Sequence, residues 1–222
     1  MALGGGTFLV QNKVLPGAYM NFVSVAHASA TLSDRGTATL PLDMDWGPEG
    51  EIFTVELADF LKNSQTIFGY AYTAPELKPM REIFAHAKTV HFFRLNMDGK
   101  KAANKFATAK YPGKRGNDLR IVVEANENST DEAALFDVST YLGTVKVDEQ
   151  EAVAAITDLT PNAYVDWAKS GNLELTATLP LTGGENGGVE DAAYQVYLDQ
   201  AEAYTFNAMG CLSTNPIITG LF

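Results

Sequence analysis

The stretch TAPELKPMREIFAHAKTVHFFRLN, Thr73–Asn96, decides the fold class of this chain. Thr73 can cap a helix, with Glu76 as its capping-box partner and Pro75 in the first turn. Apolar spacing then predicts that the helix continues to about Lys88 and is followed at once by the strand TVHFFRLN. A helix directly before a buried strand is typical of a sheet with helices packed on it. The residues expected to share the helix's inner face are Leu77, Met80, Arg81, Phe84 and Ala87.

Two further strands are predicted before this helix. TATLPLDMDW, Thr37–Trp46, has the pattern of a strand that ends at the turn signal Gly47-Pro48. IFTVEL, Ile52–Leu57, is a short strand that leads into the segment ADFLKN. This half of the chain therefore predicts an α/β core.

The pattern changes between Met97 and Leu181, where short alternating runs are separated by turns rich in Gly, Asn and Asp. Such spacing predicts a small antiparallel β sandwich or barrel. One helix, roughly Gln150–Leu159, is expected to interrupt it. The predicted strands are FATAKY, LRIVVEA, FDVSTYLG, TVKVDE and LELTATLPL.

The helical period returns after the loop TGGENGG, Thr182–Gly188. A strand is expected over Ala203–Leu212. The economical interpretation is an α/β (α+β) core over residues 31–96 and 183–222, with an inserted antiparallel β domain over 97–182 and an extended N-terminal arm over 1–30. The helix face is predicted from Tyr194, Tyr197, Leu198 and Ala201.

The N-terminal arm carries strand-forming residues that have no obvious partner nearby. Three consecutive glycines precede Phe8, Leu9 and Val10, and a Pro16-Gly17 turn signal follows. Ordering such an arm costs on the order of 20–40 kcal/mol in backbone entropy, which its few apolar side chains cannot offset among themselves. The arm is therefore either a disordered tail or a strand completed by another sheet.

Four blocks of this chain, taken in order, resemble the contractile tail sheath proteins of bacteriophages. They are GGGTF, QNKVLPGAYMNF, SDRGTATLPLDMDWGPEG (Ser33–Gly50) and YPGKRGNDLRIVVEAN (Tyr111–Asn126). The resemblance is greatest to the short sheath subunits of Gram-positive myophages, PBSX-like prophages and phage-tail-like bacteriocins, and it extends to about Pro216.

This resemblance implies hexameric rings stacked helically around a tail tube, with partners in the tube, the baseplate and the tail terminator. It implies assembly in the bacterial host cytoplasm and a final location in a virion or tail-like particle. Sheath subunits continue well past the position of Phe222, so the core is expected to be incomplete at its C-terminus. The expected inter-subunit strand residues are Phe8, Leu9, Val10, Val14, Tyr19 and Phe22. The expected hinge residues are Gly4, Gly5, Gly6, Pro16 and Gly17.

Charge and composition narrow the classes of function. Sixteen basic and twenty-seven acidic residues give a formal net charge of −11, which disfavours nucleic acid and anionic lipid as partners. No apolar run is long enough for a transmembrane helix and no signal peptide is expected. The single Cys211 excludes an intramolecular disulfide and is expected to be a small buried hydrophobe. Two basic groups, Lys100, Lys101 and Lys105, and Lys110, Lys114 and Arg115, are expected to be solvated faces or salt-bridging patches.

Asp43 and Asp45 are the most suggestive polar pair. Their spacing at the end of a strand places both carboxylates on one face, where they could hold a divalent cation or raise one pKa. The simpler interpretation is a turn in which the side chains accept backbone hydrogen bonds. The histidines His27, His86 and His91 lack metal-ligand spacing, so no metal site is predicted.

The remaining motifs predict no catalysis and no cofactor. Gly113–Gly116 lacks the phosphate-loop pattern and precedes a strand, so it is interpreted as a tight turn, and TGGENGG as a flexible return between domains. Two alternatives to the sheath hypothesis stay open: a carbohydrate- or receptor-binding β domain with Tyr164 and Trp167 as an aromatic platform, and an assembly-deficient fragment of a prophage sheath. A doubly wound enzyme would need a phosphate-binding turn or a catalytic constellation, and neither is found.

Overall fold

The computed structural model describes residues 36–130 and 133–222. The predictions for the N-terminal arm, including its strand and hinge residues and His27, concern residues outside the described ranges. None of the helices in the described ranges is long and apolar enough to cross a membrane.

A four-stranded mixed sheet forms the α/β part. Its strands are β1 (Thr37–Leu42), β2 (Ile52–Glu56), β3 (Thr89–Arg94) and β12 (Ala208–Met209), in the order β12-β1-β3-β2. Strand β1 runs parallel to β3 and β12, and β2 runs antiparallel to β3. The helices of this part are α1 (Leu57–Phe68), α2 (Lys78–Phe84), α3 (Asp191–Ala201) and α4 (Pro216–Thr219).

Both faces of this sheet are buried, and the side chains of β3 contribute to an apolar cluster on each face. Phe92 and Phe93 are both fully buried, and they contribute to two different apolar clusters because successive strand residues point to opposite faces. One cluster includes Phe60, Phe68, Leu77, Met80 and Phe84 from α1, α2 and the turn between them. The other includes Ala193, Tyr194, Tyr197 and Ala201 from α3, as the helical period predicts.

Antiparallel strands dominate the part between Met97 and Asn186. One four-stranded sheet has the order β10-β6-β7-β8, and β5 pairs with β9 in a second, two-stranded sheet. The strand bounds are β5 (Ala107–Ala109), β6 (Leu119–Ala125), β7 (Phe136–Leu142), β8 (Val145–Val153), β9 (Val165–Trp167) and β10 (Thr176–Pro180). Their inner residues form one apolar cluster, to which Leu119, Ile121, Val138 and Leu181 belong.

The chain crosses between these two parts twice, at adjacent positions. Strand β4 (Asn96–Met97) leaves the α/β part and pairs antiparallel with β11 (Gly188–Val189), which returns to it. The Asn96 side chain fixes the first crossing, because its amide exchanges hydrogen bonds with the Met44 N–H at 2.9 Å and the Met44 C=O at 2.8 Å.

Several sequence-based predictions of secondary structure are wrong in extent or type. The strand expected over Thr37–Trp46 ends at Leu42. The helix expected from Thr73 begins as a 3₁₀ turn at Pro75–Leu77 and becomes α-helical only over Lys78–Phe84, without a side-chain cap. Pro79 lies in the first turn of α2, where a residue without an N–H is tolerated. Of the strand expected over Ala203–Leu212, only Ala208–Met209 pairs, with β1.

The helix expected over Gln150–Leu159 is also wrong. Strand β8 continues to Val153, which pairs with Phe136, and only Ile156–Asp158 forms a 3₁₀ turn. The Gln150 side chain bonds to the Thr160 N–H and C=O, 2.9 Å in each case. Tertiary pairing along β7 therefore overrides the local helical preference.

Candidate functional site

The most elaborate polar structure in the described residues lies where the α/β part meets the β-rich part. We call it the junction and define it by Asp45, Trp46, Arg94, Gly113 and Asn186. It begins directly after β1, at the turn that the sequence predicts at Gly47-Pro48.

Asp45 anchors the polar side of the junction. Its carboxylate accepts one hydrogen bond from the Tyr70 hydroxyl and one from the Asn186 side-chain amide, each at 2.6 Å. Burial disfavours the charged form, but the two hydrogen bonds and the nearby charges of Lys114 and Arg94 outweigh it, so the pKa of Asp45 lies below 3.8. The suggestion that one aspartate has a raised pKa is therefore not supported for Asp45.

The carboxylates of Asp43 and Asp45 have different surroundings and do not share a ligand or a hydrogen-bond donor. Asp43 is exposed, whereas Asp45 is occupied by neutral donors from two distant segments. The donors are side chains rather than the backbone groups expected for a simple turn. A cavity of about 120 Å³ lies beside the two aspartates. Among the described residues, no group of three or more His, Cys, Asp or Glu side chains could hold a metal ion. The cavity is lined by Asp43, Met44, Asp45, Phe68, Tyr70, Glu76, Leu77 and Met80.

Trp46 anchors the apolar side. Its side chain is 1% exposed and belongs to the apolar cluster of the β-rich part, although it follows a strand of the α/β part. The indole packs edge-on against Tyr111, with ring centroids 5.3 Å apart, and donates its N–H to the Thr66 C=O at 3.0 Å. Burial of the Trp46 ring in the apolar cluster of the β-rich part therefore holds the end of β1 against that part.

Arg94 crosses the junction with charge-assisted hydrogen bonds. Its guanidinium is fully buried and donates to the Gly47 C=O at 3.0 Å and the Pro112 C=O at 2.7 Å. Its Nη2 lies 3.6 Å from a Glu49 carboxylate oxygen. Burial lowers the pKa of Arg94 from its usual value, and the charges of Glu49 and the nearby aspartates oppose this shift.

Replacing Arg94 with methionine is expected to lower the free energy of unfolding by about 3 kcal/mol, because two buried carbonyls lose their donor. Urea unfolding followed by circular dichroism measures this. The matched control is Glu49→Gln, which keeps an acceptor for the Gly99 N–H and is expected to cost less than about 1 kcal/mol. An equal loss from both variants would contradict the role given to the carbonyl contacts.

Two glycines allow the backbones to pass closely at the junction. A Cβ on Gly113 would lie 2.0 Å from the Asp45 carbonyl oxygen, and the φ of Gly113 is +130°. A Cβ on Gly187 would lie 1.5 Å from the Met97 carbonyl oxygen. Only glycine fits at either position without a backbone shift.

The loop and turn at the junction differ from their predicted character. Lys114–Asp118 is a 3₁₀ helix rather than a tight turn, and the Arg115 guanidinium stacks on the Tyr70 ring at 4.4 Å. The loop TGGENGG is hydrogen-bonded along its length: Asn117 exchanges two bonds of 2.8 Å with Gly184, and Asn186 accepts from the Lys114 N–H. The sequence assigns Asn117 only to its local turn and does not single out Asn186, because an asparagine in a loop carries no signal of its distant partner.

Among the residues that the structure describes, the histidines and Cys211 form no candidate chemical site. His86 is exposed, and His91 is buried on β3 with its Nδ1 2.8 Å from the Thr54 hydroxyl. Cys211 is partly buried and packs against the apolar cluster that includes Phe93, Tyr194 and Tyr197.

The pH dependence of stability should report on His91. Burial lowers its pKa below 6.5, so the unfolded chain binds this proton more tightly and stability is lost as the pH falls through about 6.5. Urea unfolding at pH 7.5, 6.5 and 5.5 should show a decline that is smaller in His91→Gln. His86→Gln, which changes an exposed ring, should retain the full decline, and an unchanged slope in His91→Gln would refute the assignment.

The basic groups and the aromatic pair are structural. Lys100 pairs with Glu185 at 2.7 Å, Lys110 pairs with Asp166 at 2.9 Å, and Lys105 pairs with Glu174. These lysines therefore form salt-bridging patches, one of the two interpretations that the sequence allows. Tyr164 and Trp167 do not form an aromatic platform, because Tyr164 is buried against Trp46 and the Trp167 side chain packs against the same cluster.

Comparison with known proteins identifies the class. Residues 97–186 match the family description "Phage tail sheath protein beta-sandwich domain". Residues 35–95 match "Tail sheath protein Gp18 domain III N-terminal region". The boundary between the two matches falls at β4, the first crossing strand.

Individual relatives agree with this. The PBSX phage-like element protein XkdK of Bacillus subtilis is 36% identical over 189 residues, covering 82% of this chain and 38% of its own length. The sheath tail protein of Desulfitobacterium hafniense superposes with a TM-score of 0.75 at 34% identity, covering 92% of this chain and 48% of that one. The sheath tail protein of Listeria innocua gives 0.72 at 29% identity, covering 84% and 43%.

The chain belongs to the phage tail sheath protein family. It spans less than half the length of the relatives it matches. These relatives are structural proteins of phage tails rather than enzymes, and the mixed α/β fold with a β-sandwich part is confirmed.

Proposed function

We propose that this chain is a structural subunit of a contractile tail sheath that polymerises helically around a tail tube and contracts to drive the tube through the target cell envelope. The observation that carries this proposal is the pair of consecutive sheath-domain matches, together with a superposition on a solved sheath protein that covers 92% of the chain. The proposed partners are other copies of the chain, the tube protein, and the baseplate and terminator proteins.

The junction supports the mechanical side of this role. Contraction rearranges subunits relative to one another, so each subunit must keep its own shape under load. Trp46 and Arg94 connect the β-rich part to the α/β part through buried contacts, and Asp45 does so through partly buried ones. These contacts favour the movement of both parts as one body. We accordingly propose the division into a core (31–96 and 183–222), an inserted β domain (97–182) and an arm (1–30).

The arm would connect neighbouring subunits. Its residues Thr7–Val25 would complete a sheet of an adjacent copy, with Gly4–Gly6 or Pro16-Gly17 as hinges. Backbone hydrogen bonds of this kind can persist while the subunits rotate, so the polymer stays connected in both states. The proposed location is a virion or tail-like particle assembled in the host cytoplasm.

Negative-stain electron microscopy of the chain mixed with its tube protein tests the proposal. Sheath-like helical tubes around the tube protein are expected. Deleting Met1–Val14 should leave a folded, soluble chain that no longer polymerises. Tubes of normal stability from the deleted variant would show that the arm does not connect subunits, and the absence of any assembly from the intact chain would overturn the proposed function.

A further inference from the structure

Asn186 and Gly187 form the only Asn-Gly pair among the 222 residues of the chain. In an unstructured chain, an asparagine before glycine is especially prone to lose its side-chain amide, because glycine puts no side chain in the way of the attacking backbone nitrogen. The pair lies at the junction, directly before β11, which returns the chain to the α/β part. A chemically reactive pair is therefore placed where the two parts of the chain meet.

The fold accounts for both members of this pair. The Asn186 side chain is a donor and an acceptor at once: its amide donates to the Asp45 carboxylate at 2.6 Å, and its oxygen accepts from the Lys114 N–H at 2.9 Å. An ionised aspartate at this position would lack the donor. A Cβ on Gly187 would lie 1.5 Å from the Met97 carbonyl oxygen, so only glycine fits there. These two requirements together produce the reactive pair.

The same contacts keep the pair away from the geometry that deamidation needs. The Gly187 nitrogen must reach the side-chain carbonyl carbon of Asn186, Cγ, so the side chain has to turn back towards its own backbone. Both polar atoms of that side chain are hydrogen-bonded to other segments. The backbone is held on both sides as well, by the bridge between Glu185 and Lys100 and by the pairing of β11 with β4. Ring closure therefore requires the junction to open first.

We propose that Asn186 is a site of spontaneous deamidation that reacts when the junction opens, and that the reaction prevents the junction from closing as before. The Gly187 nitrogen forms a bond to Asn186 Cγ as the Cγ–Nδ2 bond breaks, and the proton lost by that nitrogen leaves with the amide group as ammonia. Water then adds to one of the two carbonyl carbons of the resulting succinimide ring and opens it. The product is aspartate or isoaspartate, and water is the only co-reactant.

Both products disrupt the junction. An aspartate loses the amide donor and places a second carboxylate against that of Asp45, where like charges repel. An isoaspartate also lengthens the main chain by a carbon atom directly before Gly187, whose backbone has no room to move beside Met97. That change displaces β11 from β4. Deamidation therefore weakens the contact between the two parts permanently, whether or not the chain acts in a sheath.

Reaction rates in the folded and the unfolded chain test the protection. The intact chain is incubated at mildly alkaline pH with and without denaturing urea, and peptide mapping by mass spectrometry measures aspartate and isoaspartate at position 186. We expect Asn186 to react at least tenfold more slowly in the folded chain, because opening the junction costs free energy. Asn128, which is exposed and precedes Ser129, is the internal control for direct effects of urea and should change less. Equal rates at Asn186 in the two conditions would overturn the proposal.

Removing the acceptor of the Asn186 amide tests the cause of the protection. Asp45→Ala should raise the rate of deamidation in the folded chain several-fold, because the amide is then free to turn. Asp43→Ala changes the exposed neighbouring aspartate and should leave the rate unchanged. Circular dichroism checks that both variants are folded under the conditions of incubation. Equal rates in the two variants would contradict the role given to Asp45.

The aspartate product can be made directly, and this comparison stands even if Asp45→Ala does not fold. Asn186→Asp should lower the urea midpoint of unfolding by about 1 M, because the donor is lost and two carboxylates meet. Asn172→Asp adds the same charge at an exposed position and should leave the midpoint unchanged. An Asn186→Asp variant as stable as Asn172→Asp would show that the junction tolerates the product, and the proposed consequence of deamidation would be wrong.

Discussion

Replacing Trp46 with alanine is expected to lower the free energy of unfolding by about 4 kcal/mol, a large fraction of the 5–15 kcal/mol typical of a domain. The ring is 1% exposed, so its removal leaves a cavity between the two parts of the chain. It also deprives the partly buried Thr66 C=O of its donor and removes the contact with Tyr111. Urea unfolding followed by far-ultraviolet circular dichroism gives the loss.

The chain supplies a matched control in its only other tryptophan. Trp167 is partly buried and also donates its indole N–H to a backbone carbonyl, that of Thr160, at 2.8 Å. Trp167→Ala removes the same atoms from a less buried place and is expected to cost about half as much. Equal losses in the free energy of unfolding from the two variants would mean that the position of Trp46 between the two parts adds no stability.

Replacing Gly187 with alanine is expected to cost about 3 kcal/mol or more and to disrupt the pairing of β4 with β11. The new Cβ would lie 1.5 Å from the Met97 carbonyl oxygen. A backbone atom cannot move away by a change of rotamer, as the end of a flexible side chain can. Both crossings between the two parts would have to shift. Thermal unfolding should show a large drop in midpoint or a loss of cooperativity.

Gly183→Ala, in the same loop, is the control for Gly187→Ala. Gly183 has a φ of +83°, but no atom lies within 4 Å of a Cβ built there. Alanine at this position is therefore expected to lower the free energy of unfolding only by the backbone strain, about 1 kcal/mol. A Gly187→Ala variant as stable as Gly183→Ala would show that the close approach to Met97 is not a constraint.

Much of the secondary structure was predictable from local patterns. The run LRIVVEA corresponds to β6 at Leu119–Ala125, and the period that includes Tyr194 and Tyr197 corresponds to the buried face of α3. The run TVHFFRLN corresponds to β3, which follows the end of α2 after the four residues Ala85–Lys88. These predictions succeeded because the alternation of apolar residues and the turn residues between them act over a few positions.

The sequence indicated single residues of the candidate site but not the partners that they contact. The sequence singled out Asp45 for its spacing with Asp43, yet its partners are Tyr70 and Asn186, the latter 141 positions away. Trp46 was noted only as the end of a strand, and Arg94 as part of an apolar segment. No local period signals that a side chain will be buried in the core of a different part of the chain.

Local sequence patterns were thus sufficient for the α/β core, the antiparallel β-rich part and most of their strands, because hydrophobic periodicity and turn chemistry depend on neighbours in the chain. The tertiary structure alone placed Trp46 in the β-rich cluster and Arg94 across two distant carbonyls, and it converted Gln150–Val153 into strand. These outcomes depend on burial and on hydrogen-bond partners that are remote in sequence, and their free energy exceeds the small local preferences that the sequence displays.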